Sequence, residues 1–176
     1  TIDWGDGNTG ELEIDSSSSV EGVFGVLLGK HTYAENGEYA ITISLWDDDM
    51  LAAEEEPVVT TFDVFVANQA PVITLAAAAT IAEGATFDLS GSFVDAGVLD
   101  THVVTVVWGD EEGGDPVSIG TLSPFAGSRS FGQDGVYTII VTVADDDGGE
   151  SSAKLELTVT NVAPIANDDE FTMAED

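Results

Sequence analysis

The chain contains one strand pattern twice, and this internal repeat limits the possible fold more than any other feature of the sequence. Residues 37–49 and residues 135–147 both place a tyrosine two positions after a glycine, then an alternating apolar run, then three consecutive aspartates. Trp4-Gly5-Asp6 returns as Trp108-Gly109-Asp110 in the same way. The spacing between matched segments changes slightly along the chain, which surface loops tolerate. The sequence therefore holds two copies of one module, and the fold is best considered one copy at a time.

The matched segments alternate apolar and polar residues with a period of two, which is typical of half-buried β-strands. Ile41 and Ile43 share one face in the first copy, as Ile139 and Val141 do in the second. Turns rich in glycine, aspartate and serine separate these runs, and no helical period is visible. We predict an all-β protein of tandem immunoglobulin-like seven-strand β-sandwiches, the first of which lacks its N-terminal strands.

The two copies differ in completeness. We predict a partial sandwich over residues 1–68 that begins at its third strand, a complete sandwich over residues 69–164, and a tail over residues 165–176. The N-terminus opens within a strand pattern and shows no signal peptide, so we expect the sequence to be a fragment of a longer chain. Without its first two strands, the first copy is expected to expose an apolar face and an unpaired edge.

The charge of the chain excludes several classes of partner. There are 34 acidic residues against 3 basic ones, for a formal net charge of −31. Nucleic acids and anionic membranes would be repelled, so we expect neither as a partner. No apolar run approaches the roughly 20 residues that span a bilayer, so no membrane insertion is expected. Divalent cations or high salt would relieve the repulsion among the carboxylates.

The repeated motifs resemble the bacterial PKD-domain family of immunoglobulin-like modules. In the first copy the resemblance rests on Trp4-Gly5-Asp6-Gly7, on His31-Thr32-Tyr33 and on the strand around Tyr39. In the second it rests on Trp108-Gly109-Asp110, on the strand around Tyr137 and on the loop over residues 145–149. The second copy departs from the pattern, because Glu111 stands where a glycine is usual and Arg129-Ser130-Phe131 replaces the His-Thr-Tyr motif.

The resemblance also implies a location and a role. The family occurs in tandem in surface proteins and beside secreted hydrolases, which implies an extracellular, secreted or cell-surface protein with a structural and adhesive role. The tail over residues 165–176 resembles the opening strand of a cadherin-like repeat. Neighbouring modules of the same chain are the first expected partners, and a surface protein or a glycan is a further one.

Five aspartates and one asparagine are expected to gather at one pole of the second sandwich. The loops over residues 94–100 and 145–149 share a pole in this fold, and that pole faces the linker over residues 68–71. The candidate calcium ligands are Asn68, Asp95, Asp100, Asp145, Asp146 and Asp147. Calcium takes six to eight oxygen ligands of this kind and would stiffen the module junction. A solvated acidic turn, in which Asp-Gly serves the turn conformation, is the alternative interpretation.

Two further sets of residues are candidates for contact with other molecules. Glu83, Asp110 and Asn161 are expected at the opposite pole, where they would form the matching half of a junction site. Trp46 and Phe65 fall on the outward phase of their strands. Exposed aromatic side chains stack on sugars or dock a neighbouring module, and module contact is the interpretation we favour.

The sequence offers little for catalysis. It has no cysteine, no Gly-x-Ser-x-Gly elbow, no phosphate-binding loop and no histidine-rich zinc motif. The two histidines, His31 and His102, are expected to be structural. We predict a non-catalytic extracellular spacer or stalk in a large bacterial surface or secreted protein, with calcium stiffening its junctions. The alternative is a glycan-binding accessory module of a secreted hydrolase.

Overall fold

The computed structural model describes residues 1–15, 25–46, 56–110 and 114–166. Every regular element in these ranges is a β-strand, which confirms the predicted all-β class. Glu111, the aspartates at 47–49 and the tail beyond residue 166 lie outside the described residues. Within the described ranges there is no helix with the length and apolar character needed to cross a bilayer.

The chain divides into two units. The first unit is formed by residues 1–70 together with residues 95–100, and the second by residues 71–94 together with residues 101–176. The loop between two strands of the second unit is thus grouped with the first unit.

The first unit contains six strands. They are β1 (Ile2–Asp3), β2 (Thr9–Gly10), β3 (Glu13–Asp15), β4 (Val26–Leu28), β5 (Gly37–Leu45) and β6 (Val58–Val66). An antiparallel sheet has the order β2-β1-β5-β6, and β3 pairs with β4 in a separate ribbon. The nine-residue pair of β5 and β6 carries the alternating pattern that the sequence shows.

The second unit contains eight strands in two sheets. They are β7 (Val72–Leu75), β8 (Ala79–Ala82), β9 (Thr86–Val94), β10 (His102–Val107), β11 (Val117–Gly120), β12 (Phe125–Ser130), β13 (Gly135–Asp145) and β14 (Glu150–Thr160). One sheet has the order β11-β10-β13-β14-β8 and the other has the order β12-β9-β7. The pairing of β14 with β8 is parallel, whereas the other pairs are antiparallel.

The eighth strand of this unit is a difference from the seven predicted. The sequence pattern suggests one strand over residues 71–75, but the chain forms β7, passes through Ala76, Ala77 and Ala78, and then forms β8 on the other sheet. Periodicity did not reveal β8, because its four residues are too few to show a clear alternation.

The core of the second unit lies between its two sheets. Inward-facing residues from β9 and β13 are almost fully inaccessible to solvent, among them Leu89, Ile139 and Val141. Each such side chain contributes about 1.5–3 kcal/mol relative to exposure. The buried cluster consists of Phe87, Leu89, Phe93, Val104, Val106, Trp108, Phe125, Phe131, Ile139, Val141, Val143, Leu155, Leu157 and Val159.

The chain enters the second unit at one pole and leaves it at the other. Val72 pairs with Val94 at what we call the N-terminal pole, where His102 also pairs with Asp145. Thr160 pairs with Ala82 at the C-terminal pole. Strand β9 runs from the C-terminal pole to the N-terminal pole, and its nine residues span roughly 27 Å at about 3.4 Å per residue.

The glycine of each Trp-Gly-Asp motif has a conformational reason. Gly5 and Gly109 have φ angles of +82° and +76°, a region that L side chains rarely adopt. A Cβ added to Gly109 would also collide with the carbonyl oxygen of Thr138, and one added to Gly5 would lie 2.8 Å from that of Ala40. Both copies therefore need glycine where the motif passes close to the neighbouring strand.

We predict that Gly109→Ala destabilises the second unit more than Gly84→Ala. Gly84 has a φ of +78° but open space around its Cα, so its substitution costs about 1 kcal/mol from backbone strain alone. The collision at Gly109 adds about 1–3 kcal/mol. Urea unfolding followed by Trp108 fluorescence, in a Trp4→Phe/Trp46→Phe background, measures the difference. Equal losses for the two variants would contradict the steric explanation.

Candidate functional site

Loop 95–100 holds two carboxylates against one glycine. The backbone N–H of Gly97 donates to Asp95 Oδ1 at 3.2 Å, and the N–H of Asp100 donates to the carbonyl oxygen of Gly97 at 3.3 Å. The Asp100 carboxylate lies directly against Gly97, where any Cβ would collide with it. Glycine at this position therefore lets the two aspartates fold over one turn.

A third carboxylate of the first unit joins this pair. The N–H of Val98 donates to the carbonyl oxygen of Ala34 at 3.1 Å, which fixes the loop beside Glu35. A carboxylate oxygen of Asp100 lies within 4.8 Å of one from Glu35, and likewise of one from Asp95. Both Asp100 oxygens are inaccessible to solvent. We call Glu35, Asp95 and Asp100 the acidic site.

Glu35 is positioned by the turn that precedes β5. Its Oε1 accepts the backbone N–H of Asn36 at 3.1 Å, and its carbonyl oxygen accepts the hydroxyl of Tyr39 at 2.9 Å. Burial raises the pKa of Tyr39, and the negative charge of Glu35 adds to that effect, so the hydroxyl stays protonated as a donor. A cavity beside the acidic site is lined by Glu35, Asn36, Asn68 and Gly97.

The turn over residues 145–149 belongs to the second unit and uses its aspartates for the backbone. Asp145 Oδ1 accepts the N–H groups of Asp147 and Gly149 at 3.0 and 2.6 Å. Asp146 Oδ1 accepts the N–H of Thr101 at 2.8 Å, and this hydrogen bond lowers the pKa of Asp146. These contacts are those expected of an acidic turn, although each carboxylate keeps lone pairs that a cation could use.

The sequence selected some residues of the acidic site and missed another. Asp95 and Asp100 lie together, and Asn68 lines the adjoining cavity. Glu35 was not selected, because it lies in a turn outside the alternating strands. Its position four residues before a strand tyrosine is the only sequence signal, since the tyrosine hydroxyl often bonds back to the chain at this distance.

The second predicted acidic set has other partners. Asp110 Oδ2 accepts the Nε–H of Arg129 at 2.6 Å, so its charge is compensated. Glu83 Oε1 accepts the N–H of Val162 at 2.9 Å, next to the exposed Asn161. In the part of the chain that the structure describes, neither Glu83 nor Asp110 belongs to a group of three potential metal ligands.

The aspartate of each Trp-Gly-Asp motif contacts the residue that begins the His-Thr-Tyr segment or its counterpart. In the first unit His31 Nε2 lies 2.7 Å from Asp6 Oδ2 and the imidazole stacks on Trp4, with ring centroids 5.0 Å apart. In the second unit Arg129 takes the place of His31 and contacts Asp110. Desolvation raises the pKa of Asp6, but hydrogen bonds from His31 and Asn8 outweigh it and lower the pKa from 3.8 to about 2.

Trp46 and Phe65 are exposed but far apart. Their exposed fractions are 48% and 72%. Phe65 pairs with Glu38 near the start of β5, whereas Trp46 follows the last residue of that strand on the same face. Eight residues along an extended strand separate them by roughly 27 Å, so they do not form one stacking platform.

The strand order, the buried core and the tyrosine turn define a protein of immunoglobulin-like β-sandwich modules. A family model described as PKD domain matches residues 68–160, which is more than half of the sequence. The chain therefore belongs to the PKD-domain family, as its motifs predicted. Domains of this family are generally non-catalytic structural or adhesion-type modules and are typically extracellular.

Several solved structures are similar to the chain at low identity. The PKD domain of an M14-like peptidase from Thermoplasmatales archaeon SCGC AB-540-F20 is 23% identical, with 53% of this chain and 98% of that one covered and a TM-score of 0.40. Fibronectin(III)-like modules of Clostridium thermocellum CbhA give 14%, 77%, 69% and 0.43 for the same quantities. The PKD domain of the human VPS10 domain-containing receptor SorCS2 gives 17%, 55%, 77% and 0.39. A comparison with curated proteins found no match.

We predict that Asp6 stabilises the first unit in a pH-dependent way. Because folding lowers the pKa of Asp6 from 3.8 to about 2, its contribution is complete above pH 3.8 and is lost as the pH falls towards 2. The stability difference between the parent chain and Asp6→Asn should therefore shrink over that range in urea unfolding. Asp63→Asn, which neutralises an exposed carboxylate on β6, is the matched control. A difference that stays constant from pH 5 to pH 2 would contradict the assignment.

Proposed function

We propose that the chain is an extracellular structural spacer in an adhesion-type protein, where its modules hold other parts of a longer polypeptide apart. The path of the chain through the second unit carries the proposal. The chain enters at the N-terminal pole and leaves at the C-terminal pole, roughly 27 Å away along β9. A module with this path adds length to the polypeptide each time that it is repeated.

The pairing of β8 with β14 suits a module under tension. These strands are parallel and neighbouring over four residue pairs, from Leu157 with Ala79 to Thr160 with Ala82. Tension that pulls the two ends of the unit apart would load this pair in shear, because one strand lies near each end of the chain. Hydrogen bonds loaded in shear share the force, whereas those of a peeling hairpin break one at a time.

Force spectroscopy on the full chain between two flanking handle domains tests the spacer role. We expect a discrete unfolding event for the second unit, releasing roughly 30 nm for residues 71–160 at about 3.5 Å per residue. Replacing Leu157 in Leu157→Ala, which removes a buried side chain beside Ala79, should lower the unfolding force. An extension without any unfolding event would contradict a load-bearing module.

The acidic site is the best place for calcium within this proposal. Two carboxylates about 4.8 Å apart repel by roughly 3 kcal/mol at an effective dielectric constant of about 20. Glu35 and Asp95 both face Asp100 at that distance, in a chain of net charge −31. A divalent cation would convert this repulsion into attraction, and calcium accepts carboxylate, amide and water oxygens such as those beside Asn68. Bound calcium would then stiffen the loop that carries Asp95 and Asp100.

Calorimetric titration and thermal melting test the calcium proposal. We expect saturable binding and a stability gain of about 2.7 kcal/mol at a calcium concentration of 100 times the dissociation constant. Glu35→Gln/Asp100→Asn should abolish both effects. Asp88→Asn/Glu156→Gln removes the same charge from exposed strand positions and should leave binding intact. An equal rise in melting temperature with sodium at matched ionic strength, without saturable heat, would contradict a specific site.

The rival function, a glycan-binding accessory module, would depend on Trp46 and Phe65. Their separation along the strand argues against a shared sugar platform, since sugar stacking uses aromatic faces side by side. As isolated exposed aromatic side chains, they suit contact with a neighbouring module better.

A further inference from the structure

Equivalent strands of the two units bury their apolar faces to different extents. The registers of β5 with β6 and of β13 with β14 match, so Leu45 corresponds to Val143 and Phe62 corresponds to Leu155. Val143 and Leu155 are 0% and 5% exposed, whereas Leu45 and Phe62 are 40% and 47% exposed. The same kind of face is covered in the second unit and open in the first.

The exposure in the first unit is confined to one region of its sheet. Ile2 and Ile41, where β1 meets β5, are as well buried as the core of the second unit. Leu45, Val58 and Phe62, at the far end of β5 and on β6, are exposed. We call these three side chains the open face. The sheet is thus packed at one side and lacks cover at the other.

A single segment provides the missing cover in the second unit. Residues 72–94 form β7, β8 and β9, and the inward side chains Phe87, Leu89 and Phe93 lie in the core with the β13 and β14 residues. Within the same segment, β8 pairs with the outer edge of β14. In the described part of the first unit, β6 is the last strand of its sheet, so both the face and the edge lack this counterpart.

We propose that the open face and the outer edge of β6 are the docking surface for a segment built like residues 72–94, carried by the same polypeptide directly ahead of Ile2. Chain order indicates the source. Ile2 pairs with Ile43 as Val106 pairs with Val141, so β1 corresponds to β10, and residues 72–94 immediately precede β10. The docking segment has the chemistry of these residues: alternating strands with large apolar side chains inward and a short strand parallel to β6.

A second copy of the chain fits this surface less well. Each copy carries a net charge of −31, so two copies would repel each other. Face-to-face packing of two open faces would also leave the edge of β6 without a neighbouring strand. A segment in the same polypeptide covers the face and pairs with the edge together.

A fused chain tests the proposal. Residues 71–105 are duplicated and joined directly ahead of Ile2, so that Thr105 of the added copy takes the place of Thr1. We expect the β6 amide hydrogens to exchange at least about tenfold more slowly than in the parent chain, and an apolar-surface dye to lose its binding. The β13 and β14 amides, which are already covered, should exchange as before and serve as the internal control.

A matched fusion controls for added length. It carries Leu89→Ser and Phe93→Ser in the added copy only, and it should leave β6 exchange and dye binding at the level of the parent chain. Unchanged β6 exchange in the fusion of native sequence would overturn the proposal. So would a parent chain that sediments as a dimer and becomes monomeric with Phe62→Asp, because the open face would then belong to a second copy.

Discussion

The structure depends on the burial of one apolar sheet face beneath a second sheet. In the second unit, β9 carries Phe87, Leu89 and Phe93 over the inward residues of β13 and β14, and the side chains at the centre are fully buried. An antiparallel sheet with one apolar face needs such a cover, since exposed apolar area is costly in water. The first unit retains the sheet without the whole cover, and its Phe62 is exposed where Leu155 of the second unit is not.

Within this scaffold the two units keep the same contacts with different chemistry. The Trp-Gly-Asp aspartate meets His31 in one unit and Arg129 in the other. An arginine stays charged at every physiological pH, whereas a histidine does not, so the same aspartate meets a permanent charge only in the second unit. The glycine is kept in both motifs, because no other residue fits its φ angle and the adjacent strand.

The acidity of the chain is organised in two ways. Asp145 and Asp146 accept backbone N–H groups, which turn geometry rewards without any ion. Asp95 and Asp100 instead lie beside Glu35, where carboxylates face one another. A sequence shows only that these residues are acidic and lie in loops. Their separate roles depend on which N–H groups and which carboxylates the fold places next to each.

The sequence alone determined the all-β class, the two copies and the family, because period-two alternation and repeated motifs are local properties that need no knowledge of packing. It also indicated that the first copy would expose an apolar face. Only the tertiary structure decided that Glu35 joins Asp100, that Arg129 occupies Asp110, and that Trp46 and Phe65 lie at opposite ends of a sheet. Those relations follow from strand register and loop path, which bring together residues that are distant in the chain.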